Sequence, residues 1–172
     1  MTERQEKKAQ FQQPENSKRS LLVVAALVLV VVVAVGAWGL LGGGSGGYPV
    51  VAAQNGMVSI PEAQVSDGQA HFFSYREGDA TINFFVLKSN DGVIRAAFDA
   101  CDVCYRDKLG YRQDGDSMVC IACNQSFASD QINVLKGGCN PAPLNRVVRD
   151  GQVLIAEADI KAGSGYFPSS TR

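Results

Sequence analysis

The chain has 172 residues and a formal net charge of -1, with 16 Lys and Arg against 17 Asp and Glu. That balance argues against a nucleic-acid binder working by phosphate neutralisation. The single histidine, His71, excludes any multi-His metal site, and the odd set of five cysteines excludes a complete intramolecular disulfide framework.

Hydrophobic residues make up 46% of the chain, unevenly spread. Residues 1–20 are polar, with Arg4, Lys7, Lys8, Lys18 and Arg19 set against Glu3, Glu6 and Glu15. Residues 21–41 read LLVVAALVLVVVVAVGAWGLL and carry no charge. At 1.5 Å rise per residue this run spans roughly 31 Å, against a bilayer core of about 30 Å. Trp38 lies near its far end, where aromatic side chains favour the interface. Lys18 and Arg19 abut the near end, and the positive-inside rule places that side in the cytoplasm. The expected organisation is a cytoplasmic polar tail (1–20), one transmembrane helix (21–41), a Gly/Ser linker (42–47, GGGSGG) and an extracytoplasmic domain (48–172). The alternative is a cleaved signal peptide, whose apolar region is usually shorter, about 7–15 residues.

Strand signals dominate the domain. Residues 70–75 are aromatic-rich. Residues 81–87 follow a Glu77-Gly78-Asp79 turn, and Asn90-Asp91-Gly92 predicts a hairpin returning through 93–98. Residues 109–113 and 117–119 flank Asp114-Gly115-Asp116; residues 146–149 and 152–156 flank Asp150-Gly151. Residues 157–161 suit one helical turn. The expected fold is mainly β: a single N-terminal transmembrane helix followed by a small β-rich domain of hairpins with a zinc-ribbon-like four-cysteine site. Eleven Lys and Arg against fourteen Asp and Glu in residues 48–172 leave no basic patch for an anionic surface.

The chemistry concentrates in Cys101-Asp102-Val103-Cys104 and, fifteen residues on, Cys120-Ile121-Ala122-Cys123. Each C-x-x-C turn lets two thiolates converge on one ion, and two turns brought together by a hairpin complete a tetrahedral four-sulfur shell. Cys101, Cys104, Cys120 and Cys123 are therefore the candidate metal ligands. Zinc, a single iron and an iron–sulfur cluster all accept four thiolates. Two disulfides or a redox-active dithiol are the competing readings, natural outside the cytoplasm. Cys139, in Lys136-Gly137-Gly138-Cys139-Asn140-Pro141, sits in a backbone-determined loop able to bring a fifth thiol to the site; a buried free thiol is its plain alternative. His71 reads as a half-buried strand residue. Asp99, Asp102, Asp107, Asp114 and Asp116 read as turn and knuckle residues, and Tyr105 and Tyr111 as packing around the site.

An ordered series of motifs resembles the FtrD-like membrane iron–sulfur protein family. It runs through Phe84-Phe85-Val86, Asn90-Asp91-Gly92, Phe98-Asp99-Ala100 leading into the first cysteine pair, Gly110-Tyr111, the second pair, and Gly137-Gly138-Cys139-Asn140-Pro141-Ala142-Pro143-Leu144. The resemblance covers most of 60–167. It implies membrane association, a cysteine-bound iron–sulfur cofactor, and a link to bacterial iron-uptake systems with a high-affinity iron permease. Cys101, Cys104, Cys120, Cys123 and Cys139 match the family's cysteine positions.

The expectation is a membrane-anchored electron-transfer or iron-handling accessory, holding an iron–sulfur cluster or a single iron, with zinc as the alternative. Its expected partners are the membrane, through one helix, and a membrane iron permease or redox components, with no nucleic acid. A structural zinc-binding module and a thiol–disulfide oxidoreductase are the competing functions. For the oxidoreductase, Arg106, Lys108 or Lys136 would have to lower a thiol pKa. No nucleophile elbow, phosphate-binding loop or HExxH motif points to a hydrolase.

Overall fold

The computed structural model describes residues 47–168. The expected tail, membrane helix and all but the last residue of the linker lie outside the described residues. Among the described residues, no helix is long and apolar enough to cross a membrane.

The domain is mainly β. Among the described residues there are ten strands: β1 (Val50–Val51), β2 (Met57–Pro61), β3 (His71–Glu77), β4 (Ala80–Lys88), β5 (Ile94–Phe98), β6 (Tyr111–Asp114), β7 (Ser117–Cys120), β8 (Ser126–Ala128), β9 (Val147–Arg149) and β10 (Gln152–Ala156). One six-residue helix, α1 (Glu157–Ala162), follows β10. The strands form three sheets, ordered β1-β3-β4-β5, β2-β10-β9 and β6-β7-β8.

Hairpin chemistry sets the registers. Glu77 pairs with Ala80 across a two-residue loop that begins with Gly78 at φ +56°, and Asp114 pairs with Ser117 across one that begins with Gly115 at φ +59°. Asp150 and Gly151 both take positive φ between Arg149 and Gln152, the backbone that matches strand twist in a tight hairpin. The expected hairpins at these three turns are present. The expected one-turn helix is α1. Its Lys161 pairs with Glu157 at 2.9 Å and with Glu77 of β3 at 3.3 Å.

The β1-β3-β4-β5 sheet is covered on both faces. Strand pleating sends alternate β4 side chains to opposite sides. Ile82, Phe84 and Val86 pack with Phe73, Val58, Ile60, Val153 and Ile155, joining this sheet to β2-β10-β9. Phe85 and Leu87 pack with Tyr111, Met118, Cys120 and Ile132, joining it to β6-β7-β8. A strand buried on both faces reads as a continuous apolar run, as Phe84-Phe85-Val86-Leu87 does.

Three strands were not anticipated: β1, β2 and β8. β1 lies parallel to β3, pairing Val50 with Ser74. β2 pairs antiparallel with β10, Ile60 opposite Val153. At the other edge, the segment after Cys139 lies along β5. Phe98 N donates to Ala142 O at 2.8 Å, Ala142 N to Ala100 O at 2.9 Å and Leu144 N to Ala96 O at 3.1 Å.

Candidate metal centre

The first cysteine pair begins three residues beyond β5, and Cys104 N–H donates to Cys101 Sγ at 3.1 Å. A short 3-10 turn, Tyr105–Asp107, then leads through Lys108 and Gly110, both at positive φ, into β6. The second pair begins on the last residue of β7 and turns back into β8. Asn124 N donates to Cys120 O at 2.8 Å, and Asn124 takes φ +58°. Ile121 N donates to Gly110 O at 3.0 Å, extending the β6–β7 pairing by one main-chain bond into the second cysteine turn. Both pairs lie between strands, as the sequence pattern predicts.

Cys139 comes from the loop built on Gly137 and Gly138, at φ +84° and +64°. Tyr111 OH donates to its carbonyl at 2.6 Å. The Asn140 side-chain amide donates to Leu135 O, while its Oδ1 is a buried acceptor with no protein partner.

All five cysteines carry free thiols, and their sulfurs form two overlapping groups. Those of Cys101, Cys104 and Cys120 lie within 4.8 Å of one another, as do those of Cys104, Cys123 and Cys139. Cys104 Sγ stands 3.7 Å from Cys139 Sγ. Cys101 and Cys120 are buried, Cys104 and Cys139 half-buried, and Cys123 exposed. Phe85, Leu87, Met118 and Ile132 form the apolar floor beneath Cys101, Cys104, Cys120 and Cys139.

The thiols differ electrostatically. Burial pushes those of Cys104 and Cys120 up from the ordinary cysteine value. The Cys139 thiol is also raised, chiefly by its hydrogen bond with Cys123. The Cys123 thiol is lowered, first of all by the backbone N–H of Gln125. Cys123, exposed and lowered, is the first of these to present a thiolate.

A cleft of about 260 Å³ reaches Cys101, Cys104 and Cys120 from the side of Asn83, Asp99 and Lys108. Asp99, expected as a turn residue, is instead buried against the cleft. It is 7% exposed, accepts from Tyr111 N at 2.7 Å and from Tyr48 OH at 3.2 Å, and fills the space a Gly110 side chain would need. Burial pushes its carboxyl up to about 7. The adjacency of Asp99 to an unbroken apolar strand and the matching Gly110 were the only signals in the sequence.

Three of the other acids make local contacts away from the sulfurs. Asp102 accepts from Tyr166 OH at 2.6 Å, Asp114 pairs with Arg112 at 3.0 Å, and Asp116 accepts from Ser129 Oγ at 2.5 Å. His71 is half-buried, pairs with Asp67 at 2.8 Å and joins neither sulfur group. Arg106 lies over the Tyr105 ring at 5.7 Å, and Tyr105 packs edge-on against Tyr166.

Five converging sulfurs with no histidine or carboxylate among them form a soft donor set, suited to iron, zinc or a sulfur-bridged cluster and poorly suited to hard cations. Residues 65–167 match the family model described as membrane iron-sulfur containing protein FtrD-like. No curated protein matches the chain.

Proposed function

The chain belongs to the FtrD-like family of membrane iron–sulfur proteins, and on that premise we propose that Cys101, Cys104, Cys120, Cys123 and Cys139 hold iron, as an iron–sulfur cluster or a single ion, in a membrane-anchored accessory for electron transfer or iron handling. The observation that carries this reading is the convergence of all five sulfurs in two groups sharing Cys104. Iron bound by thiolates supplies a one-electron couple.

The chain's own residues set the conditions of that couple. The Cys104 N–H aimed at Cys101 Sγ withdraws charge from that sulfur, and the Gln125 N–H does the same at Cys123. The floor of Phe85, Met118 and Ile132 keeps one side of the site dry. Exposed Cys123 and the cleft beside Cys101 leave two routes of approach for a redox or metal-delivering partner. In this reading the anchor is the apolar run 21–41, with residues 1–20 cytoplasmic and the domain extracytoplasmic. The partner is a membrane iron permease of a bacterial uptake system or a neighbouring redox component.

The test uses the full chain, extracted in detergent and purified without oxygen. Iron, acid-labile sulfide and a visible thiolate-to-iron charge-transfer band are expected. Stoichiometric zinc in a colourless protein would instead make this a structural zinc module. A membrane-impermeant thiol reagent applied to intact cells after treatment with an iron chelator should reach Cys123 if the domain is extracytoplasmic.

A further inference from the structure

The zinc-ribbon spacing predicts one closed shell from Cys101, Cys104, Cys120 and Cys123. The folded chain groups the sulfurs differently. Both cysteines of the first turn join the leading cysteine of the second, Cys120. The trailing cysteines of the two turns, Cys104 and Cys123, join Cys139. With metal–sulfur bonds near 2.3 Å, thiolates on one tetrahedral ion stand about 3.8 Å apart. The 3.7 Å between Cys104 and Cys139 has that spacing, and each group as a whole lies within 4.8 Å.

One tetrahedral ion uses four thiolates and leaves the fifth over. Two ions sharing one thiolate use all five. Four unshared sulfurs and one shared sulfur then fill six of the eight positions of two tetrahedra. Two positions, one on each ion, remain for an external ligand, such as an inorganic sulfide if the bound group is an iron–sulfur cluster.

We infer that Cys104 is a shared ligand, and that the site is two adjoining metal half-sites: a buried one from Cys101, Cys104 and Cys120, and an exposed one from Cys104, Cys123 and Cys139. The inference rests on the proposal that the site holds metal, and specifies how many ions it takes. The half-sites differ in access. Two of the three sulfurs of the first are buried, and none of the second. The exposed ion is therefore the exchangeable one. Cys104 is also the residue whose position each half-site requires.

Cobalt(II) is the probe. Full-length protein in detergent, stripped of metal and kept reduced without oxygen, is titrated while thiolate-to-cobalt absorption and the high-spin cobalt EPR signal are followed. The expected result is saturation at two cobalt ions per chain. The EPR signal should grow through the first equivalent and fall through the second, as the two spins couple through the Cys104 sulfur. A chelator should then remove one ion at least tenfold faster than the other and restore the single-ion signal. Cys139→Ser should bind one cobalt, held as slowly exchanging metal, and Cys120→Ser should bind one that exchanges fast; circular dichroism checks that both fold.

Saturation of the unmodified protein at one cobalt, or at two with additive EPR intensity, overturns the shared-ligand assignment while leaving a metal site standing. No cobalt–thiolate absorption at all overturns the proposed metal function with it. Native iron accompanied by two labile sulfides per two irons, with Cys139→Ser retaining both metals, also overturns the sharing.

Discussion

The phenol of Tyr111, at the start of β6, donates to the carbonyl of Cys139 at 2.6 Å, joining the hairpin between the two cysteine pairs to the loop of the fifth cysteine. Tyr111 is 3% exposed and Cys139 half-buried, so removing the hydroxyl leaves the carbonyl only partly able to find water in its place. Tyr111→Phe should cost about 1–2 kcal/mol in urea unfolding. Metal-loaded protein should lose its ion to a chelator several-fold faster, because the loop carrying Cys139 is less constrained. An unchanged release rate alongside the stability loss would confine Tyr111 to packing.

Gly110 takes φ +68°, and any Cβ there would run into the Asp99 carboxylate. Gly110→Ala therefore combines left-handed backbone strain with overpacking, about 2–4 kcal/mol together. Gly115 has a similar φ of +59° but open space around it. Gly115→Ala should cost only the backbone strain, about 1–2 kcal/mol. Thermal unfolding of the two variants separates the contributions, and equal losses would show that Asp99 moves aside freely.

Phe84 and Phe85 are both fully buried, but in different layers. Truncating either to Ala should cost about 3–5 kcal/mol. Phe85 lies beneath the cysteines, so Phe85→Ala should also weaken metal retention at temperatures where the protein remains folded. Phe84→Ala should leave it unchanged. Parallel unfolding and chelator-competition curves decide the matter.

The hydrogen bond from Ser89 Oγ, first, with further bonds from Val93 N–H and Arg95, holds the Asp91 carboxyl down at about 2, against an ordinary 3.8. A depressed carboxylate stabilises the folded state above its ordinary pKa, and that stabilisation disappears as pH falls through the folded value. Asp91→Asn should therefore melt at lower temperature than the parent at pH 6. The gap should close between about pH 4 and pH 2. Comparing the two proteins at each pH cancels the titration of the other acids. A gap independent of pH would mean that Asp91 acts by shape alone.

The hairpins at Gly78, Gly115 and Asp150-Gly151 announce themselves because positive φ demands Gly or a short polar residue. The convergence of the cysteines was legible because two C-x-x-C turns flank a hairpin. Their division into two groups was not, since spacing along the chain cannot say which sulfur of a turn faces inward. β2 escaped notice because its partner, β10, comes more than ninety residues later, and its burial makes sense only when the two are opposite each other. Asp99 looked like a turn residue because its burial depends on Tyr48 and on the empty position at Gly110.

The segment that follows Cys139 has a further effect on the outside of the domain. β5 is the last strand of its sheet, and Ala142 and Leu144 occupy its exposed main-chain groups, with Pro143 bridged to Ala97. Pro141 and Pro143 have no amide hydrogen to offer outward. A neighbouring copy meeting this side of the sheet finds no continuous row of donors on which to add a strand, so the residues that place the fifth thiol also guard the edge against self-association.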